Sequence, residues 1–110
     1  MAERKEFLKG TIEMVVLSLL KKEDMYGYQI TRELKEASPE MLAIKEGTLY
    51  PILLRMMDRG WIAGKWVKVG EKRKRHYYTI TSKGRTQLKE SRELWKDLTE
   101  AVAHIIRATA

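Results

Sequence analysis

The chain has 110 residues, 44% hydrophobic and 34% charged, a balance that suits one folded domain and excludes a disordered polymer. It carries 22 Lys and Arg against 15 Asp and Glu, and the net charge of +7 favours an anionic partner, either nucleic acid or an acidic membrane surface. With no cysteine there is no disulfide scaffold, thiolate metal site or cysteine nucleophile.

The segment Met1-Ala2-Glu3-Arg4-Lys5-Glu6 is charged, and the densest apolar run, Met14 to Leu20, is interrupted by Ser18. It is too short for a signal sequence or a membrane span, so a cytoplasmic location and no membrane partner are expected. Residues 8–22 read as a helix with Leu8, Ile12, Val15, Val16, Leu19 and Leu20 on one face; Met14 and Leu17 widen the stripe. A loop over 22–25 follows. Residues 26–37 give a second helix with Ile30 and Leu34 as its spine and Tyr26 extending it. Gly27 in its first turn permits close approach of a neighbouring helix or a phosphate. Ser38-Pro39 ends it, because the residue before proline is pushed out of helical geometry. Residues 41–44 form a short apolar connector that also fits a single strand.

Residues 46–60 predict a third, amphipathic helix. Leu49, Ile52, Leu53 and Met56 share one face. Gly47 or Thr48 is the expected N-cap, which would place Pro51 in the first turn, where a missing N–H has no cost. Gly60 is the expected stop. The opposite face carries Thr48, Tyr50 and Arg55. A helix that buries one side and shows a hydroxyl, a phenol and a guanidinium on the other suits a DNA major groove.

After Gly60 the period changes from 3.6 to 2. Residues 62–69 alternate loosely and Arg75 to Ile80 cleanly, with Tyr78 and Ile80 on one side and Arg75, Tyr77 and Thr79 on the other. The pair reads as a β-hairpin whose tip contains Gly70, Lys72, Arg73 and Lys74. From Lys65 to Arg75 there are six basic residues against one acid, Glu71. Thr81 or Ser82 then caps a last helix to about residue 108, roughly 40 Å long. Leu88, Trp95, Leu98, Val102 and Ile105 make a heptad seam, and Leu94, Ala101 and Ile106 a second apolar line beside it. So small a domain cannot cover both lines, which predicts a dimer interface with a second copy through that seam.

Other chemistry finds no support. His76 and His104 lie on a strand and a distant helix without partners at metal-ligand spacing, and no nucleophile, phosphate-loop or dinucleotide motif is present. No enzyme, no metal and no cofactor are expected. Three helices followed by a basic hairpin make the winged helix-turn-helix plan, a mainly α fold with a small β-hairpin. The expected division is a winged helix-turn-helix domain over 1–80 and a C-terminal dimerisation helix over 81–110.

At this point the sequence resembles the PadR family of transcriptional regulators. The resemblance is carried by Leu8 through Leu20, Tyr26-Gly27-Tyr28, Glu46-Gly47-Thr48-Leu49-Tyr50-Pro51 and Gly60-Trp61-Ile62. It continues through Arg73-Lys74-Arg75-His76-Tyr77-Tyr78-Thr79-Ile80-Thr81 and Gly84. The short C-terminal part is similar to the subfamily with a single dimerising helix. The resemblance implies a homodimeric repressor on an inverted-repeat operator in double-stranded DNA, often released by a small molecule. It assigns Thr48 and Tyr50 to the DNA face and Lys72, Arg73 and Lys74 to phosphates. Trp95 resembles the tryptophan that lines an inter-subunit cavity in drug-binding members, which implies a small aromatic ligand as effector; an ordinary dimer-core aromatic fits it as well. The rival reading, of a different class, is a protein–protein adaptor in which the long helix does the work and the basic wing has no specific DNA target.

Overall fold

The structure, a computed structural model, describes residues 10–110; the expected helix start at Leu8 and the basic residues Arg4, Lys5 and Lys9 lie outside the described residues. The elements follow as α1 (Ile12–Lys22), β1 (Met25–Tyr26), α2 (Gly27–Ala37), α3 (Glu46–Asp58), β2 (Ile62–Lys68), β3 (Lys74–Ile80) and α4 (Ser82–Ala108). The three strands form one antiparallel sheet in the order β1-β3-β2. This is the winged helix-turn-helix plan with a long helix appended.

The core takes Ile12, Val16, Leu17 and Leu20 from α1, Ile30 and Leu34 from α2, and Leu49, Leu53 and Met56 from α3. Met25, Ile62, Tyr78 and Ile80 close it from the sheet, and no polar or charged side chain is buried among the described residues. In α1 it is Leu17, not Val15 or Leu19, that is fully covered; the helix packs against both β3 and α4, so its buried stripe is wider than one neighbour would need. The connector over 41–44 is a turn and bend, not a strand. Met25 and Tyr26, read as loop and helix from the sequence, pair with Tyr78 and Tyr77 as a third strand.

The start of α3 also differs from the expectation. The N-cap is Lys45, in extended conformation and without a side-chain cap, so the helix begins before Gly47 and Thr48. The Lys45 carbonyl takes the N–H groups of Thr48 and Leu49. Pro51 therefore lies one turn deeper than predicted, inside the helix. Its missing N–H orphans the carbonyl four residues back, at Gly47, an exposed position where water can replace the bond. The end of α3 is as expected. Gly60 adopts φ +78°, and the N–H groups of Gly60 and Trp61 return to the carbonyls of Met57 and Met56 at 3.0 Å each, which satisfies the last turn.

The junction into α4 is tightly built. The Thr81 hydroxyl accepts the Gly84 N–H at 3.0 Å and donates to the Gly60 carbonyl at 2.6 Å. The Thr81 N–H meets the Trp61 carbonyl at 3.0 Å. A Cβ at Gly84 would overlap that same carbonyl oxygen and press on Ile80, so only glycine lets α4 start against the residue that leads into β2. Beyond the first two turns α4 leaves the domain, and the molecule measures 61 × 31 × 21 Å.

Candidate nucleic-acid interface

The polar side of α3 is built from positions the core leaves uncovered. Thr48, Tyr50 and Arg55 are all exposed. At 100° per residue, Thr48 and Tyr50 stand roughly 160° apart around the axis, so they flank an arc and do not sit side by side. Gly47, Pro51, Leu54, Arg55 and, at the far end of the helix, Asp58 fill that arc, and Leu54, an exposed apolar side chain, is a member the polar-face reading had missed. An apolar contact there suits a thymine methyl, a hydroxyl or guanidinium a base edge or phosphate.

β2 and β3 pair from Ile62↔Ile80 to Lys68↔Lys74, and the Val69 N–H closes the turn on the Arg73 carbonyl at 3.0 Å. Lys72, Arg73 and Lys74 are exposed at its tip. The base of the wing is tied down on the outer face. Lys65 reaches Asp24 at 3.0 Å, Arg75 lies 4.4 Å over the Tyr26 ring, and Tyr26 meets Tyr77 edge-on at 5.4 Å. The Lys65 ammonium and a hydrogen bond from Thr79 hold the Asp24 carboxyl below the usual carboxylate range, against the smaller opposing effect of burial.

Between the wing and the starts of α2 and α3 lies an open cleft of about 300 Å³. Tyr50 and Glu46 line it from α3, Tyr26 and Tyr28 from the entry to α2, and Trp66, His76 and Tyr78 from the wing. Burial, with the neighbouring Tyr50 phenol adding to it, raises the pKa of Tyr78. Neither helix start has a side-chain cap; the first turn of α2 carries no acid and leaves its partial positive charge beside the cleft, whereas Glu46 offsets that charge at the start of α3. Arg75 in the lining, the aromatic walls, the start of α2 and the cations of the wing tip together suit a polyanion. Three rings stack along the inner face of the wing. His76 lies 4.6 Å from Trp66 at 11° and 4.6 Å from Tyr78 at 38°. The sequence reading had missed this stack. Its one signal was Gly64, cross-strand from Tyr78, where a Cβ would overlap the His76 ring.

The long-helix residues separate into two groups. Trp95, Leu98, Val102 and Ile105 are exposed, as are Leu94 and Ile106 of the second line. Leu88 is not: at 2% exposure it belongs to the core of its own chain, packed with α1. It is therefore corrected out of the seam. Heptad spacing cannot distinguish a position covered by its own domain from one left for another chain. Among the described residues no group of His, Asp or Glu is arranged to hold a metal, and no helix is long and apolar enough to cross a membrane.

Comparison with known proteins agrees with this architecture. The sequence pattern of the "Transcriptional regulator PadR-like family" matches residues 16–90. An uncharacterized protein of Lysinibacillus sphaericus is 31% identical over 99 residues, spanning 90% of this chain and 91% of its own. The crystal structure of a PadR-like transcriptional regulator from Bacillus cereus superposes with a TM-score of 0.81 at 33% identity, over 92% of this chain and 96% of that one. The negative transcriptional regulator PadR of Bacillus subtilis is 31% identical over 77 residues, 70% of this chain and 42% of that longer protein. Its crystal structure in complex with operator DNA superposes with a TM-score of 0.68 at 29% identity, over 74% of this chain and 45% of that one.

Proposed function

This chain belongs to the PadR-like family of transcriptional regulators, and from that premise we propose that it is a homodimeric repressor that binds an inverted-repeat operator in double-stranded DNA. The observation that carries the reading is the cleft, flanked on one side by the exposed arc of α3 and on the other by a wing with three exposed cations at its tip. In this reading α3 enters the major groove, Thr48, Tyr50 and Arg55 meet base edges or adjacent phosphates, and Lys72, Arg73 and Lys74 neutralise the backbone. The repressor sign is supported by the Bacillus subtilis relative, itself a negative regulator.

Dimerisation is supported by the apolar strip of Trp95, Leu98, Val102 and Ile105, which stands exposed among the described residues. Release by a small aromatic effector rests on Trp95, 44% exposed on that strip, where its copy from a second chain would stand near it. A DNA regulator of this kind works in the cytoplasm, where the chromosome is.

The test is footprinting on the DNA upstream of the protein's own gene. Protection of two half-sites related by two-fold symmetry, weakening steeply with salt, is expected. Binding that ignores salt and protects no site would hand the function to the adaptor alternative.

A further inference from the structure

We infer that Trp66 is a DNA-contacting residue, a preformed stacking platform on the wing whose outer face takes the deoxyribose of the backbone beside the operator groove. The inference rests on the DNA-binding reading above and adds to it an apolar anchor among the wing's cations.

The argument starts from the hairpin register. Side chains alternate between faces, so Ile62/Ile80, Gly64/Tyr78, Trp66/His76 and Lys68/Lys74 share one face in that order from base to tip. Along this face the chemistry grades from core hydrophobes through stacked rings to a pair of exposed lysines. Trp66 stands where the apolar part ends and the cationic part begins.

Its indole is 67% exposed, a large apolar surface to leave in water on a monomer. Yet it is not loose. One face rests on His76 at 4.6 Å, nearly parallel, and His76 leans in turn on the buried Tyr78. Gly64 makes room for the His76 ring, since any side chain there would occupy its place. The indole is thus held from behind, and its remaining face points away from the stack. A side chain already ordered before binding loses little further freedom when a partner covers it.

The occupant follows from charge. Lys68 and Lys74 stand one pair further along the same face, Lys72 and Arg73 lie beyond, and Arg75 lines the same cleft; these five cations outweigh Glu71 at the tip and Glu46 across the cleft, so whatever covers the indole is anionic at its edges and apolar at its centre. The sugar–phosphate backbone has that alternation: phosphates on either side of a deoxyribose with an apolar C–H face. In a duplex the bases are stacked on one another, and only the sugar presents such a face to a wing lying along the strand.

The experiment titrates a short fluorescein-labelled duplex of random sequence with wild-type protein, W66A, W66F and K72A over a series of salt concentrations. Random sequence suffices because the sugar contact carries no sequence information. W66A is expected to weaken binding about tenfold per wing at every salt concentration, leaving the log–log salt slope parallel to wild type. W66F, which keeps a ring, recovers most of that loss, whereas K72A flattens the slope. A second readout is the indole N–H signal of Trp66 in the wild-type ¹⁵N–¹H spectrum, identified by its loss in W66F; adding the duplex should shift it. Unchanged affinity in W66A, a W66A loss accompanied by a flatter slope, or an indole signal that stays in place overturns the inference while leaving DNA binding intact. Wild-type protein that fails to bind the duplex at any salt concentration overturns the DNA reading and this inference together.

Discussion

Gly84 shows how one missing side chain fixes a joint. The first turn of α4 is pressed against the Trp61 carbonyl, and the Thr81 cap and the Gly60 carbonyl complete the contact. G84A would force the helix off that carbonyl; as overpacking against backbone it should cost about 2 kcal/mol and lower Tm by roughly 10 °C in a circular-dichroism melt. A melt within a degree or two of wild type would refute the joint. Asp24 offers a pH test of the tie between wing and body. Its carboxyl is held below its ordinary pKa by Lys65, so the ionised form stabilises the fold above that ordinary pKa and loses its effect as pH falls through the lowered folded value. D24N should therefore be less stable than wild type near neutral pH, by under about 1 kcal/mol because the pair is half exposed. The gap should close as pH falls below about 4. A gap that widens on acidification would contradict the ion pair.

Among the elements, the proposed function has α3 and the wing divide the labour of binding, and substitutions should separate them. Y50A and T48A are expected to weaken binding to the footprinted operator more than to random DNA. K72A and R73A should weaken both alike and reduce the salt slope by about one unit for each phosphate released, counted over the dimer. Wing substitutions that change sequence preference would reverse the assignment. Much of this layout was legible in the sequence because its signals are periodic or singular: the 3.6-residue stripe of α3, the clean alternation before Ile80, and Gly60 as a stop. β1 was not, since two residues between Asp24 and Gly27 are too few to show a period. The start of α3 was misplaced because capping preference favours Thr or Gly, whereas Lys45 turns the chain by backbone geometry alone. The ring stack was illegible because it joins residues across two strands, visible only once the register is known. Leu88 was misassigned because its spacing fits two different partners equally well.

At the scale of the whole molecule the exposed strip of α4 is the surface on which the proposed dimer rests. L98D or I105D should yield monomers by light scattering, since each would put an unpaired charge into an apolar contact. With four phosphates neutralised per subunit, the wild-type dimer should show a salt slope of roughly −7 and the monomeric variants about half that. A dimeric L98D would move the interface elsewhere. Trp95 should be quenched saturably by planar aromatic cations in protein whose other two tryptophans are phenylalanine, and the same compounds should release DNA from the wild type. An absence of quenching across a broad panel would leave Trp95 as dimer core without an effector role. The joint at Gly84 bears on the operator as well. In the proposed dimer the two long helices meet like the legs of a pair of dividers, with each α3 carried at a point. With the two long helices held together, turning one domain by roughly 10° about its joint moves a point about 20 Å from that joint by about 3.5 Å, close to the rise of one base pair. In the proposed dimer the spacing between half-sites would thus be engraved in the packing of one glycine against one carbonyl, far from the residues assigned to the bases.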